Sequence, residues 1–190
     1  MTQNRGLAYE PFEPSWTVGP FFPLAVGVAW ALFVLIDMAA FLLFPTQTLA
    51  MAIVPVITVC VTFVLHEWLH ALVGWWYGCQ VSFGIDIKRR DLTPYVVSAG
   101  TKTRNEQLVI SLAPLVVLNE VALVVIALSV PFSMVWFLGV VVFATNTFGS
   151  IQGVDSDIAT VYRLWQLPST IRIRDRKGQP RRFLRVKTDD

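Results

Sequence analysis

Apolar positions in this chain gather into long unbroken runs separated by short polar stretches, unlike the single stripe of an ordinary surface helix. The runs fall at about residues 21–43, 49–77, 107–130 and 132–149; Pro45 closes the first and Pro131 separates the last two. A bilayer-crossing helix needs about 20 apolar residues, a length the first three runs reach and the fourth approaches. The polar stretches read differently. VSFGIDI from Val81 to Ile87 alternates, TPYVV from Thr93 is a second β-prone run, and IRIRD, Lys177-Gly178 and RRFLRV have the form of a hairpin. The pattern predicts an all-α polytopic membrane protein, with about four transmembrane helices and small cytoplasmic β-hairpin elements. An isolated hairpin is marginal in water, so these strands are expected to lean on the membrane domain or on each other.

Three parts follow from this reading: an N-terminal arm at 1–20 carrying Pro11, Pro14 and Pro20, a membrane-embedded part at 21–167, and a basic tail at 168–190. The first apolar run begins only after some twenty polar and turn-forming residues, so it reads as a retained span and not as a removable signal.

Composition agrees: 55% of the 190 residues are hydrophobic and 15% charged, and the mean hydropathy is +0.59, which excludes an ordinary soluble domain. The net charge of +2 conceals segregation. Arg5 precedes the first run; Lys88, Arg89, Arg90, Lys102 and Arg104 lie between the second and third; Arg163, Arg172, Arg174, Arg176, Lys177, Arg181, Arg182, Arg185 and Lys187 follow the fourth. The other two connections hold no Lys or Arg. Four crossings with both termini in the cytoplasm place every basic residue on one side, as expected of a multi-pass cell-membrane protein. The tail then faces anionic lipid, not nucleic acid. Cys60 and Cys79 lie in or beside apolar sequence and suggest no disulfide framework.

Within the second run stands HEWLH, His66 to His70, and the chain has only these two histidines. Four residues apart, both imidazoles occupy one helical face. Glu67 can reach a metal-bound water without taking a coordination position. That is the division of labour of a zinc hydrolase, with Zn²⁺ held by His66 and His70 and a proton taken by Glu67. Counted from Leu49, His66 is about 25 Å along its helix, toward the cytoplasmic side, where water has access. A catalytic zinc takes three protein ligands. The third must come from a carboxylate or a cysteine, Asp157 being the first choice, Asp155 the second, and Glu120 or Cys79 the remainder. Asp155 or Ser156 has a competing role as the cap of a helix beginning in DSDIATVYRLWQL. Asn119, Glu120 and Asn146 lie in the last two runs, where each can hydrogen-bond a ligand histidine from behind or pair with another helix. Asp37, nearer the outer side, reads as structural.

A substrate cut near a bilayer has to be extended, and the edge of VSFGIDI, through Val81, Phe83 and Ile85, can hold an extended peptide by main-chain bonding. The expected function is an intramembrane zinc metallopeptidase acting on membrane proteins or membrane-associated peptides near the cytoplasmic face. Two alternatives stand beside it: a zinc-binding scaffold or adaptor without turnover, and a membrane hydrolase acting on another amide or ester.

HEWLHALVGWWYG, then TPYVV, then LVISLAP, then GSIQGVDSDIATVYRLWQLPSTIRIRD resembles the DUF3267 family of membrane zincin peptidases over about residues 60–178. The family pattern has a serine near the end of the last span, an aspartate opening a helix, a proline and a further aspartate, which match Ser150, Asp157, Pro168 and Asp175. The resemblance implies a peptidase fold. The wider architecture is similar to site-2 proteases, whose third zinc ligand comes from an LDG motif after an asparagine- and proline-containing segment. This chain has Asn146 but no LDG, which leaves Asp155 and Asp157 both open.

Overall fold

A computed structural model of the chain describes residues 9–12, 48–86, 93–151, 156–175 and 182–186. Among these residues there are four helices and a five-stranded antiparallel sheet. The helices are α1 (Thr48–Trp76), α2 (Arg104–Leu128), α3 (Met134–Ile151) and α4 (Asp157–Trp165). The strands are β1 (Tyr9–Phe12), β2 (Gln80–Asp86), β3 (Thr93–Thr103), β4 (Arg172–Asp175) and β5 (Arg182–Val186).

This corrects the all-α polytopic reading. The alternating runs do not stay as separate hairpins. They join in one sheet of order β1-β5-β4-β3-β2, to which the proline-containing arm adds a strand. The joint is β3, eleven residues long, whose first part pairs with β2 (Gln80↔Ala99 to Asp86↔Thr93) and whose last four residues pair with β4 (Gly100↔Asp175 to Thr103↔Arg172). A lone hairpin is marginal, so merging two of them and packing one face on helices is the stable solution. Only two of the described helices are long and apolar enough to cross a membrane, Ile53–Trp76 and Arg104–Leu128, while the apolar stretch Met134–Ser150 of α3 is shorter. The first predicted span and Asp37 lie outside the described residues.

Local chemistry fixes where the elements stop. α1 ends in a Schellman turn: Cys79 N–H bonds Gly74 O at 3.0 Å and Gly78 N–H bonds Trp75 O at 2.8 Å, with Gly78 at φ 76°. The chain thereby enters β2 directly. Gly74 lets β3 lie against α1, since a Cβ there would stand 2.4 Å from Ser98 Oγ. α2 starts at the end of β3 through a capping box, in which Thr103 Oγ1 accepts from Glu106 N–H at 3.0 Å and Glu106 accepts from Thr103 N–H at 2.7 Å.

Two apolar clusters hold these pieces. Leu108, Leu164, Leu167, Ile171 and Ile173 join the start of α2 to α4 and the inner face of the sheet. Phe137 and Val141, with Val59, join α3 to α1. Beside the first cluster Lys102, only 2% exposed, pairs with Asp175 at 3.1 Å and donates to Ser98 O at 2.8 Å. That ion pair ties β3 to β4 from inside.

Candidate metal centre

His66 and His70 stand one turn apart on α1 with their rings edge to face, centroids 4.8 Å apart and planes at 81°. Their Nε2 atoms are 3.2 Å apart. Asp157, on the first turn of α4, points its carboxylate between them: Oδ2 is 2.9 Å from His66 Nε2, and Oδ1 is 3.2 Å from His70 Nε2. Ser156, not Asp157, is the cap of α4, its side chain accepting from Ala159 N–H, and this leaves the Asp157 carboxylate free to face the histidines.

The backs of the rings determine which nitrogen carries the proton. His70 Nδ1 is 2.8 Å from Ile110 O, and a carbonyl only accepts, so Nδ1–H is the donor. For His66 a side-chain amide fixes the tautomer. Asn146 Nδ2 donates to Pro114 O at 3.1 Å and to Asn119 Oδ1 at 2.8 Å, which leaves Asn146 Oδ1 to accept from His66 Nδ1–H at 2.8 Å. Asn119 is fixed in turn by donating to Thr147 Oγ1 at 2.9 Å. In its neutral form, the one that ligates a metal, each imidazole therefore directs its Nε2 lone pair at the carboxylate side.

In that form two lone pairs and an anionic oxygen converge, an arrangement that a cation stabilises. His66, His70 and Asp157 thus form a group that could hold a metal ion. Tetrahedral zinc with ligands at 2.0–2.1 Å keeps them about 3.3 Å from one another, and the separations of 2.9, 3.2 and 3.3 Å among these atoms fit that spacing. Burial alone pushes the Asp157 carboxyl up. Hydrogen bonds and positive charge from His66 and His70, which the rings supply when they carry protons in place of a metal, outweigh burial and hold it below the usual carboxylate range, so it is anionic at neutral pH.

Glu67 is half-buried beside this group, near enough for the charges of His70, His66 and Asp157 to act on it, and takes a hydrogen bond from the Val96 backbone of β3. The remaining candidates lie elsewhere. Glu120 is exposed on α2 and stays outside the Asn119–Asn146 chain of bonds. Cys79 is buried at the end of α1, where burial raises its thiol, and it does not join the converging atoms. Asp155 is outside the described residues. On β2, Val81 is half-buried and Phe83 exposed, while only the backbone of Ile85 is described. Sequence reading missed three groups here: the Ile110 carbonyl, Thr147 and the Val96 backbone.

Replacing Asn146 with Ala is expected to weaken metal binding about 10–100-fold, because it removes the group that orients His66 and the donor to Asn119 Oδ1. Zinc competition against a chelator of known affinity measures this; an unchanged affinity would show that Asn146 does not orient the ring.

No curated protein and no solved structure matches the chain. A family profile does, over residues 59–172, more than half of the 190 residues and the part that carries both histidines, Asn146 and Asp157. With that match and this geometry together, the chain belongs to the DUF3267 family, whose description is "putative zincin peptidase".

Proposed function

We propose that the protein is a zinc-dependent peptidase working at a membrane, with His66, His70 and Asp157 as ligands and Glu67 as the proton carrier. The observation that carries this reading is the convergence of two Nε2 atoms and one carboxylate beside Glu67. When bound, zinc supplies a Lewis acid that acidifies water and polarises a peptide carbonyl. Glu67 takes a proton from the attacking water and passes it to the departing amine, so the acid and base roles fall to one side chain in turn. The Val96 backbone bond holds that carboxylate in place between the two transfers.

The membrane location rests on α1 and α2. Val56, Val64, Trp75 and Trp76 on α1 are 62%, 63%, 71% and 86% exposed, and Val121, Val124 and Leu128 on α2 are exposed as well. Helices apolar on nearly every side need an apolar surround, which a bilayer provides. Trp75, Trp76 and Tyr77, exposed at the sheet end of α1, suit a membrane–water interface there, with the basic connections on the cytoplasmic side. The sheet supports contact with anionic lipid. Arg174 stands directly opposite Arg182, with Arg172 on the same face, a like-charge arrangement that an anionic surface stabilises.

The substrate class that fits is a membrane protein or membrane-associated peptide, extended at the site. β2 is the outer strand of the sheet. Val96 turns its amide toward Glu67 and away from β2, so Val96 and Phe83 form a non-hydrogen-bonded pair, and Phe83, with Val81 and Ile85 by alternation, presents its backbone to the outer edge. A peptide docked there lies two strand spacings, about 10 Å, from β3. Edge docking therefore holds the substrate beside the site, and roughly three or four further extended residues deliver the scissile bond.

Cross-linking partners to the Glu67→Gln protein in its own membrane, followed by mass spectrometry, tests this. The expected catch is membrane-associated polypeptide, and prolines placed at Val81, Phe83 and Ile85 are expected to reduce it without loss of zinc. Unchanged capture would remove edge docking, and a catch of soluble extracytoplasmic peptides alone would remove the orientation.

A further inference from the structure

We infer that Pro114 is a positioning residue for the metal centre, acting through a backbone amide that it lacks. This rests on the metal-binding reading above and adds to it a residue that touches neither ion nor substrate.

In an α-helix each carbonyl accepts from the N–H four residues on. The donor assigned to Ile110 O is residue 114, a proline within α2, which has no N–H. The proline ring also crowds the carbonyl four residues before it, which is again that of Ile110, and tilts it off the helix axis. Ile110 is buried at 3% exposure, so water does not replace the missing donor. His70 Nδ1–H does, at 2.8 Å. A helix irregularity thus becomes the acceptor that fixes one ligand ring in the tautomer whose Nε2 faces Asp157.

The same residue meets the other ring. Pro114's own carbonyl accepts from Asn146 Nδ2 at 3.1 Å, and that bond helps to orient the Asn146 oxygen toward His66 Nδ1. Both histidines are therefore referenced to one turn of α2, His70 directly and His66 through Asn146. The Pro114 side chain is among the largest fully buried ones, so its place is a fixed point of the packing.

Two substitutions separate the missing amide from mere bulk. Pro114→Ala restores the N–H and leaves a gap; Pro114→Val restores it and nearly fills the space. In both, Ile110 O is drawn back to its helical donor. Zinc affinity, read by chelator competition, is expected to fall about tenfold to a hundredfold. In metal-free protein, nitrogen NMR of labelled histidine is expected to show His70 wholly as the Nδ1–H form in the wild type and as a mixture with the Nε2–H form in both variants. Recovery of wild-type affinity and tautomer by Pro114→Val would assign the effect to packing and overturn the proposal, as would wild-type behaviour in both. If the wild type binds no zinc while the tautomer still shifts in the variants, the metal reading fails and the role of Pro114 in orienting His70 stands.

Discussion

Glu67→Gln is expected to abolish turnover while leaving zinc in place. The substitution keeps the size of the side chain and an oxygen able to accept from the Val96 backbone, but it removes the basic site. Positioned general acid–base groups contribute about 10²–10⁴-fold, and a loss in that range is the expected result. None of His66, His70 and Asp157 changes, so the metal content of purified protein stays at one zinc per chain by elemental analysis. Turnover is read as cleavage of the partner that the variant captures. A scaffold without chemistry predicts the opposite: Glu67→Gln would then match the wild type in every cellular readout. Loss of zinc from the variant would make Glu67 a ligand and overturn the role assigned to it.

Asp157→Ala is expected to lower zinc affinity at least about a hundredfold, beyond what is usual for groups that only orient a ligand. Asp157 is the only carboxylate among the described residues that joins the two Nε2 atoms. Its absence leaves two imidazoles on one helix and nothing from α4. The first turn of α4 also gains from a negative charge near its N-terminus, but that is worth only about 0.3–1 kcal/mol, and Ser156 retains the cap. A small fall in stability with a large fall in affinity is therefore the signature of a ligand. Asp155→Ala is the comparison and is expected to keep its zinc. The reverse ranking in a zinc titration would transfer the third position to Asp155.

α1, α2 and α3 were legible because long apolar runs need no partner to announce themselves. The histidine pair was legible because four-residue spacing on a helix is local geometry. Asn146 and Asn119 could be singled out as polar groups in apolar sequence, yet nothing local distinguished Asn119 from its neighbour Glu120. About 100° of helical rotation sends one toward α3 and the other to the surface. Sheet order was not legible. β3 carries both pairings on a single strand, and which distant run meets which half of it depends on packing against Leu108 and Leu164, not on alternation. YEPF read as an arm because of Pro11, a residue that an edge strand tolerates. The Ile110 carbonyl was hidden in another way. Its availability is a property of a residue four places on, and only His70 packed against α2 gives it a use.

The order of the strands sets a timetable for biosynthesis. β1 is made first and has only β5 beside it in the sheet, and Glu10 and Arg185, which pair across that ladder, are 175 residues apart. The contacts among α1, α2 and α3 join neighbours in the chain and can form while translation continues; the outer sheet cannot. Such a non-local closure is slow, and until residue 186 has left the ribosome both β1 and the edge of β4 stand open. A polypeptide stopped before Arg182 would lose two strands, not one, because the arm at its beginning would have nothing to pair with.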